Sequence, residues 1–233
     1  MSISLSKLFF LIVFLPLLWE VPEGERLQAE GIWARGDTVL LFVKVRPCTE
    51  ESVLPSAQIL ASMDRGRSWN ERGPRLEGKD FSFIYENRGQ IWLAGFHTAE
   101  FGAEPFILVP TDSSLNWNKY TIYEGPAYLE GIAFQTKNQL IARVRHINVR
   151  NQNWKVYLHQ SIDGGRSWRQ VGRSNSGRRE RGIAFKEIEM QTADWRIVDA
   201  PDGSFAVEHR ELAQKSWMTV SQFPLKRCRS DQR

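Results

Sequence analysis

The stretch ARVRHINVRNQNW, residues 142–154, places Arg143 and Arg145 two positions apart. Residues two apart on an extended strand share a face, so both guanidinium groups are presented together, with Arg150 in the loop beyond. A guanidinium fork pairs with both oxygens of a carboxylate, so this set suits an acidic ligand. GRSNSGRRERG adds Arg178, Arg179 and Arg181, and YEGPAYLEG carries Tyr123, Glu124, Tyr128 and Glu130 ahead of an expected strand. A Tyr beside a carboxylate is the nucleophile pair of the glycosidases that depart from the two-carboxylate pattern. The plainer reading is that such loops are polar and that 178–181 is a solvated charge run. Both readings stand at this level. The candidate ligand contacts are Arg143, Arg145, Arg150, Arg179, Tyr128 and Glu130, and no residue is assigned as catalytic.

Other chemistry is sparse. His97, His146, His159 and His209 are scattered without metal-ligand spacing, so neither a metal nor a cofactor is expected. No phosphate-binding glycine loop and no G-x-S-x-G turn occurs. A net charge of +4 is too small to imply nucleic acid.

The elements that must position these groups are set by repetition. Trp69, Trp117, Trp168 and Trp217 recur at intervals of 48, 51 and 49. Gly31, Ser82, Gly131 and Gly182 open similar phrases at steps of 51, 49 and 51. Two markers therefore report four units of about fifty residues. Each unit carries four short strand-like runs with turn residues between them, such as GIWAR, TVLLFVKV, AQILASM and SWNER in the first. Four-stranded antiparallel units in series are blades of a β-propeller, so the expected fold is all-β with about four blades. Loops 46–56, 98–104 and 147–153 and connections 73–80, 121–130 and 172–181 then share one face, the ligand face of most propellers.

The phrase SMDRGRSW at 62–69 returns as SIDGGRSW at 161–168, between the third and fourth strands of its unit. Asp64 and Asp163 can accept backbone N–H groups just ahead. Gly66 and Gly165 take positive φ without a Cβ clash. Ser62 and Ser161 add short hydroxyls, and Trp69 and Trp168 supply apolar bodies to cover the hairpin. Asp112 and Trp117 are a degenerate third copy. This S-x-D-x-G-x-x-W pattern resembles the Asp box, the bacterial neuraminidase repeat of sialidase-like β-propellers, over about residues 30–222. In that family the box lies at the blade periphery, so the resemblance makes these residues structural staples. It departs from the catalytic sialidases in three ways. No Arg-Ile-Pro segment precedes the first blade, no A-x-D-x-R-like stretch occurs, and four units stand in place of six blades. Either this is a small closed ring or a shortened member that has lost its catalytic parts.

At the N-terminus LFFLIVFLPLLW, residues 8–19, follows a single Lys7, the size of a signal-peptide core and short for a membrane span. Residues 1–24 are expected to be a signal peptide or an uncleaved anchor, 25–224 the propeller and 225–233 a basic tail. Cys48 and Cys228 are enough for one bridge in an oxidising compartment, or are two unpaired thiols. The expected function is an exported, secreted or periplasmic module binding sialylated or other acidic glycans, or a protein, with the membrane reached only through the N-terminal segment. An exo-α-sialidase-type hydrolase is the alternative. A looser similarity to photosystem II assembly factors, which use D-G-G-x-x-W repeats, points to a scaffold instead.

Overall fold

The computed structural model describes residues 24–48, 54–87, 89–97, 104–111, 115–148, 150–151, 153–174, 191–211 and 215–224. All regular elements among them are strands. The first blade orders β1 (Glu25–Arg35), β2 (Thr38–Pro47), β3 (Ser56–Ser62) and β4 (Asn70–Glu77) side by side. The second is β5 (Lys79–Asn87), β6 (Gln90–His97), β7 (Pro105–Pro110) and β8 (Trp117–Thr121). The third is β9 (Ala127–Phe134), β10 (Leu140–Asn148), β11 (Asn153–Ser161) and β12 (Arg169–Arg173). The fourth has three described strands, β13 (Trp195–Asp199), β14 (Phe205–His209) and β15 (Met218–Phe223). Its expected inner strand from Gly182 lies outside the described residues, although Gln191 bridges to Arg196 where that hairpin would close. All pairings are antiparallel, and the chain forms a β-propeller.

Position in the blade explains the composition of each strand. Leu40, Leu41, Phe42 and Val43 of β2 are buried on both faces because the blade is packed on both sides. Leu41 and Leu60 meet Trp195, Ile197 and Phe223 of the fourth blade. On the opposite face Phe42 and Ile59 meet Ile84, Leu93 and Trp117 of the second blade. Trp92 and Ile107 in turn meet Leu129, Ile132 and Val144 of the third. Burying each such side chain is worth roughly 1.5–3 kcal/mol. The outer strand β12 packs on one side only and is mostly exposed. Among the described residues no apolar cluster joins the third blade to the fourth.

The glycine-marked phrases fall inside inner strands, which begin at Glu25, Lys79 and Ala127, ahead of Gly31, Ser82 and Gly131. What recurs there is a bulge. Glu30, Ser82 and Glu130 each stand unpaired in the ladder, and the next residues, Gly31, Phe83 and Gly131, face Phe42, Ala94 and Arg143. Two expected loops are corrected as a result. Only Gly78, with φ of 59°, separates β4 from β5, so 73–80 is a near-continuous path between blades. Tyr128 and Glu130 lie within β9 and not ahead of it.

The repeated turn forms as its residue types require. Asp163 accepts from the backbone N–H of Arg166 (3.0 Å) and of Ser167 (2.9 Å), from the Ser167 hydroxyl (2.6 Å) and from that of Ser161 (2.8 Å). Ser161 Oγ accepts the Gly165 N–H at 2.8 Å. Asp64, Ser62, Gly66 and Ser68 repeat the pattern at 2.6–2.9 Å. Asp112 lies outside the described residues. Trp168 covers its own hairpin, donating to the Gly165 carbonyl at 2.9 Å, but Trp69, Trp117 and Trp168 also reach the neighbouring blade. Trp69 crosses to the fourth blade, packs edge-on against Phe223 and donates to Ser221 Oγ at 2.8 Å. Trp117 donates to the Ile91 carbonyl within the cluster shared with the first blade, and Trp168 packs on the cluster shared with the second. Trp217 has no such cluster and is instead flanked by the guanidinium groups of Arg196 and Arg210.

Candidate functional site

The bulges aim side chains that an unbroken ladder would not. On β9 the bulge releases Glu130 between Arg143 and Arg145 of β10. Its Oε1 accepts from Arg145 Nε at 2.7 Å and Nη2 at 2.5 Å, and Arg143 Nε lies 2.8 Å from Oε2. The Arg143 contact is an ion pair and not a hydrogen bond, because its buried N–H points off the oxygen. Tyr128 faces Arg145 across the ladder, and the Arg145 guanidinium lies over Trp154 of β11 at 4.7 Å. Tyr128 is 41% exposed and Trp154 51%. Four residues expected as ligand contacts or their neighbours, Arg143, Arg145, Tyr128 and Glu130, therefore converge on one sheet face.

The same ladder positions recur in the first and second blades. Glu30 is the bulged residue of β1, and Lys44, two residues past Phe42, lies 3.5 Å from it. Lys44 Nζ also reaches Asp80 of β5 in the next blade at 2.8 Å. Asp80 holds the position of Tyr128, facing Phe96 as Tyr128 faces Arg145. Phe96 meets Tyr128 edge-on, with ring centroids 5.6 Å apart. Lys44–Asp80 and Phe96–Tyr128 are thus equivalent contacts from the second strand of one blade to the inner strand of the next. Together these residues form a belt along consecutive blades, with Glu30, Asp80 and Glu130 balancing Lys44, Arg143 and Arg145. Burial works to lower the Lys44 pKa, but Asp80 and Glu30 outweigh it and hold the ammonium charged above its ordinary range. The signal was present in sequence, since Glu-Gly occurs at 30–31 and again at 130–131, with a cation fourteen or fifteen residues on.

The alternate residues of β10 point the other way, toward the second blade. There His146 and His159, which sequence spacing separates, meet with their Nε2 atoms 2.9 Å apart. One ring donates and the other accepts. Tyr123 stacks on His146 at 3.8 Å and 18°, and Tyr157 lies 4.5 Å from it on the other strand. His159 occupies the place of Leu60 in the first blade, and Ala142, standing for Leu41, leaves room for the imidazole. Burial and the adjacent His146 push His159 down to about 4, and burial lowers His146. No group of three metal-binding side chains occurs among the described residues.

Arg150 does not join the belt. It lines a cleft at the β10–β11 loop with His146 and Tyr157. Arg179 and Cys228 lie outside the described residues. Cys48, whose N–H donates to the Gly24 carbonyl, carries no free thiol.

No protein-family model matches the chain, and no curated protein matches it. Among solved structures it is similar to an α-L-arabinanase of Penicillium chrysogenum complexed with arabinobiose, at 13% identity and a TM-score of 0.41, covering 86% of this chain and 62% of that one. It is also similar to an α-L-arabinofuranosidase of Fusarium graminearum complexed with arabinobiose (14%, TM-score 0.41, 87% and 64%). A third is a β-1,2-mannobiose phosphorylase from Listeria innocua (12%, TM-score 0.41, 85% and 72%). The chain spans less than two thirds of the first two. Likenesses this loose leave the fold to be read from the sheets themselves and say nothing of activity.

Proposed function

We propose that the chain is an exported carbohydrate-binding β-propeller module without complete hydrolytic machinery. The observation that carries this reading is the strip Tyr128–Arg145–Trp154 across β9, β10 and β11. Two exposed aromatic faces flank a charged hydrogen-bonding centre. A sugar ring presents apolar C–H faces beside hydroxyls, so it needs both a flat apolar wall and oriented polar groups. The charges of the belt are fixed against one another, which suits orientation of a neutral or acidic sugar and keeps the site rigid.

The same geometry argues against turnover. Both oxygens of Glu130 are taken by guanidinium groups, so it cannot take a proton without losing those partners. The Tyr128 ring is held edge-on to Phe96, and no hydrogen bond joins its hydroxyl to Glu130. An exo-α-sialidase-type hydrolase is the second reading, favoured by the adjacency of Arg145 and Tyr128. Sialylated glycans are the ligand it would take. Export rests on the apolar segment at 8–19.

The test is an oligosaccharide array with the purified protein, followed by calorimetry on the best ligand. Trp154→Ala and Tyr128→Ala are expected to weaken binding at least tenfold with melting unchanged. Hydrolysis of a fluorogenic sialoside, abolished by Tyr128→Phe, would establish the enzyme reading in its place.

A further inference from the structure

We propose that the cleft beside the β10–β11 loop is a separate subsite for the acidic group of a carboxylated or sulfated sugar. The cleft has a volume of about 650 Å³ and is bounded by His146, Tyr157, Lys155, Arg150, Asn148 and Asn153, with no carboxylate in its lining. The inference rests on the carbohydrate reading for its ligand class, but not on the belt for its location. His146 and Tyr157 lie on the face of the third blade turned toward the second, whereas Arg143 and Arg145 lie on the other.

Two features point to an anion. First, the cations here are uncommitted. Arg150 uses only its backbone N–H, on Asn148 Oδ1 at 3.0 Å, and among the described residues neither its guanidinium nor the Lys155 ammonium has a partner. Like charges converging on one concavity raise its positive potential and favour an anion there. A second cleft, of about 480 Å³ between the first and fourth blades, shows the contrast. Its Arg35 pairs with Glu86, Arg65 with Asp37, and Arg210 with the Ala193 carbonyl. Second, the wall is preorganised. Tyr157 packs on His146, which Tyr123 stacks from behind and His159 holds by hydrogen bond. A sugar ring resting on Tyr157 would direct its acid group to Lys155 or Arg150, with the amides of Asn148 and Asn153 left for hydroxyls.

Trigalacturonic acid, its methyl ester, a sulfated disaccharide and a neutral xylotriose are the probes, titrated calorimetrically into the full-length protein. Lys155 and Arg150 are both exposed, so the double variant Lys155→Gln/Arg150→Gln is expected to fold and to melt like the parent. The expected result is that an acidic probe binds, that the ester binds at least tenfold more weakly, and that the double variant loses this acid-over-ester preference while Arg145→Gln keeps it. Which acidic probe binds separates carboxylate from sulfate. Unchanged affinity in the double variant overturns the inference. A loss that follows Arg145→Gln instead also overturns it and moves the acid to the belt, leaving the carbohydrate reading intact. Binding of xylotriose alone overturns the inference and leaves the carbohydrate reading intact, whereas failure of every saccharide removes both proposals.

Discussion

Asp163 shows what a single side chain does here. Its carboxylate collects four donors from a seven-residue turn, and although burial opposes ionisation, the bonds from Ser167, Ser161 and Arg166 win and hold it down to about 2. Asp163→Ala and Asp64→Ala strand those donors, so each is expected to cost about 1–3 kcal/mol in chemical denaturation, with ligand affinity unchanged. Selective loss of binding at constant stability would contradict the peripheral role. His159 behaves oppositely. It is 3% exposed and favoured neutral, with a folded value of about 4 against an ordinary 6.5. The unfolded chain therefore binds the extra proton between those values, and stability present above pH 6.5 is lost as pH falls toward 4. The loss attributable to this ring is at most roughly 3–4 kcal/mol. His159→Leu, which copies Leu60 of the first blade, is expected to flatten that part of the stability–pH curve relative to the parent. Curves that stay parallel from pH 7 to 4 would show that the imidazole is not held neutral.

At the scale of elements, close approach between blades sets what each turn tolerates. Gly165 has φ of 96°, and a Cβ there would lie 3.2 Å from Val109 and 3.5 Å from Ile107 of β7. Gly66 is similarly placed, 3.0 Å from Val220 of β15. Both glycines are needed twice over, for the backbone angle and for the neighbouring blade. Gly165→Ala is expected to destabilise by more than about 1 kcal/mol. Gly172 sits in the exposed strand β12 with nothing within 4 Å of a Cβ and no positive φ. Gly172→Ala is expected to be neutral or stabilising by up to about 1 kcal/mol. Equal melting shifts for the two variants would remove the close-approach argument.

For the whole molecule, the junctions are unequal. Three are filled by apolar clusters, while the remaining face of the third blade carries Arg143, Glu130 and Arg145 and that of the fourth the Arg196–Glu208 pair, each paired within its own blade. Those faces carry no apolar cluster among the described residues, so amide exchange is expected to be faster along β10 and β13 than along β2 and β6. Uniform protection of all four strands would contradict this. We further propose that Cys48 pairs with Cys228 and fastens the first blade to the chain leaving the fourth. The two are 180 residues apart, and closing a loop of that length is worth roughly 4–5 kcal/mol in the chain-entropy account. Denatured, unreduced protein from its native compartment is expected to show no titratable thiol, and reduction to lower the midpoint of unfolding. Two titratable thiols would end the pairing.

The sequence by itself determined the architecture, because turn chemistry and strand periodicity are local and were written several times over. The spacing of Trp69, Trp117, Trp168 and Trp217 and the donors of the Ser-x-Asp-x-Gly turn act within a few residues, so they can be read along the chain. It also placed Arg143 and Arg145 on one strand face, with Tyr128 and Glu130 nearby in the same unit, although it set those two in a connection and not inside β9. What the bulges do was not legible, since a bulge depends on the partner strand as much as on its own residues. Only the tertiary structure joined Glu30 to Lys44 and Asp80, set Phe96 against Tyr128, carried Trp69 across to Ser221 and brought His146 to His159. Each of these contacts crosses a ladder or a junction between blades. Sequence distance carries no information about such contacts, because sheet register and blade packing decide which side chains share a face.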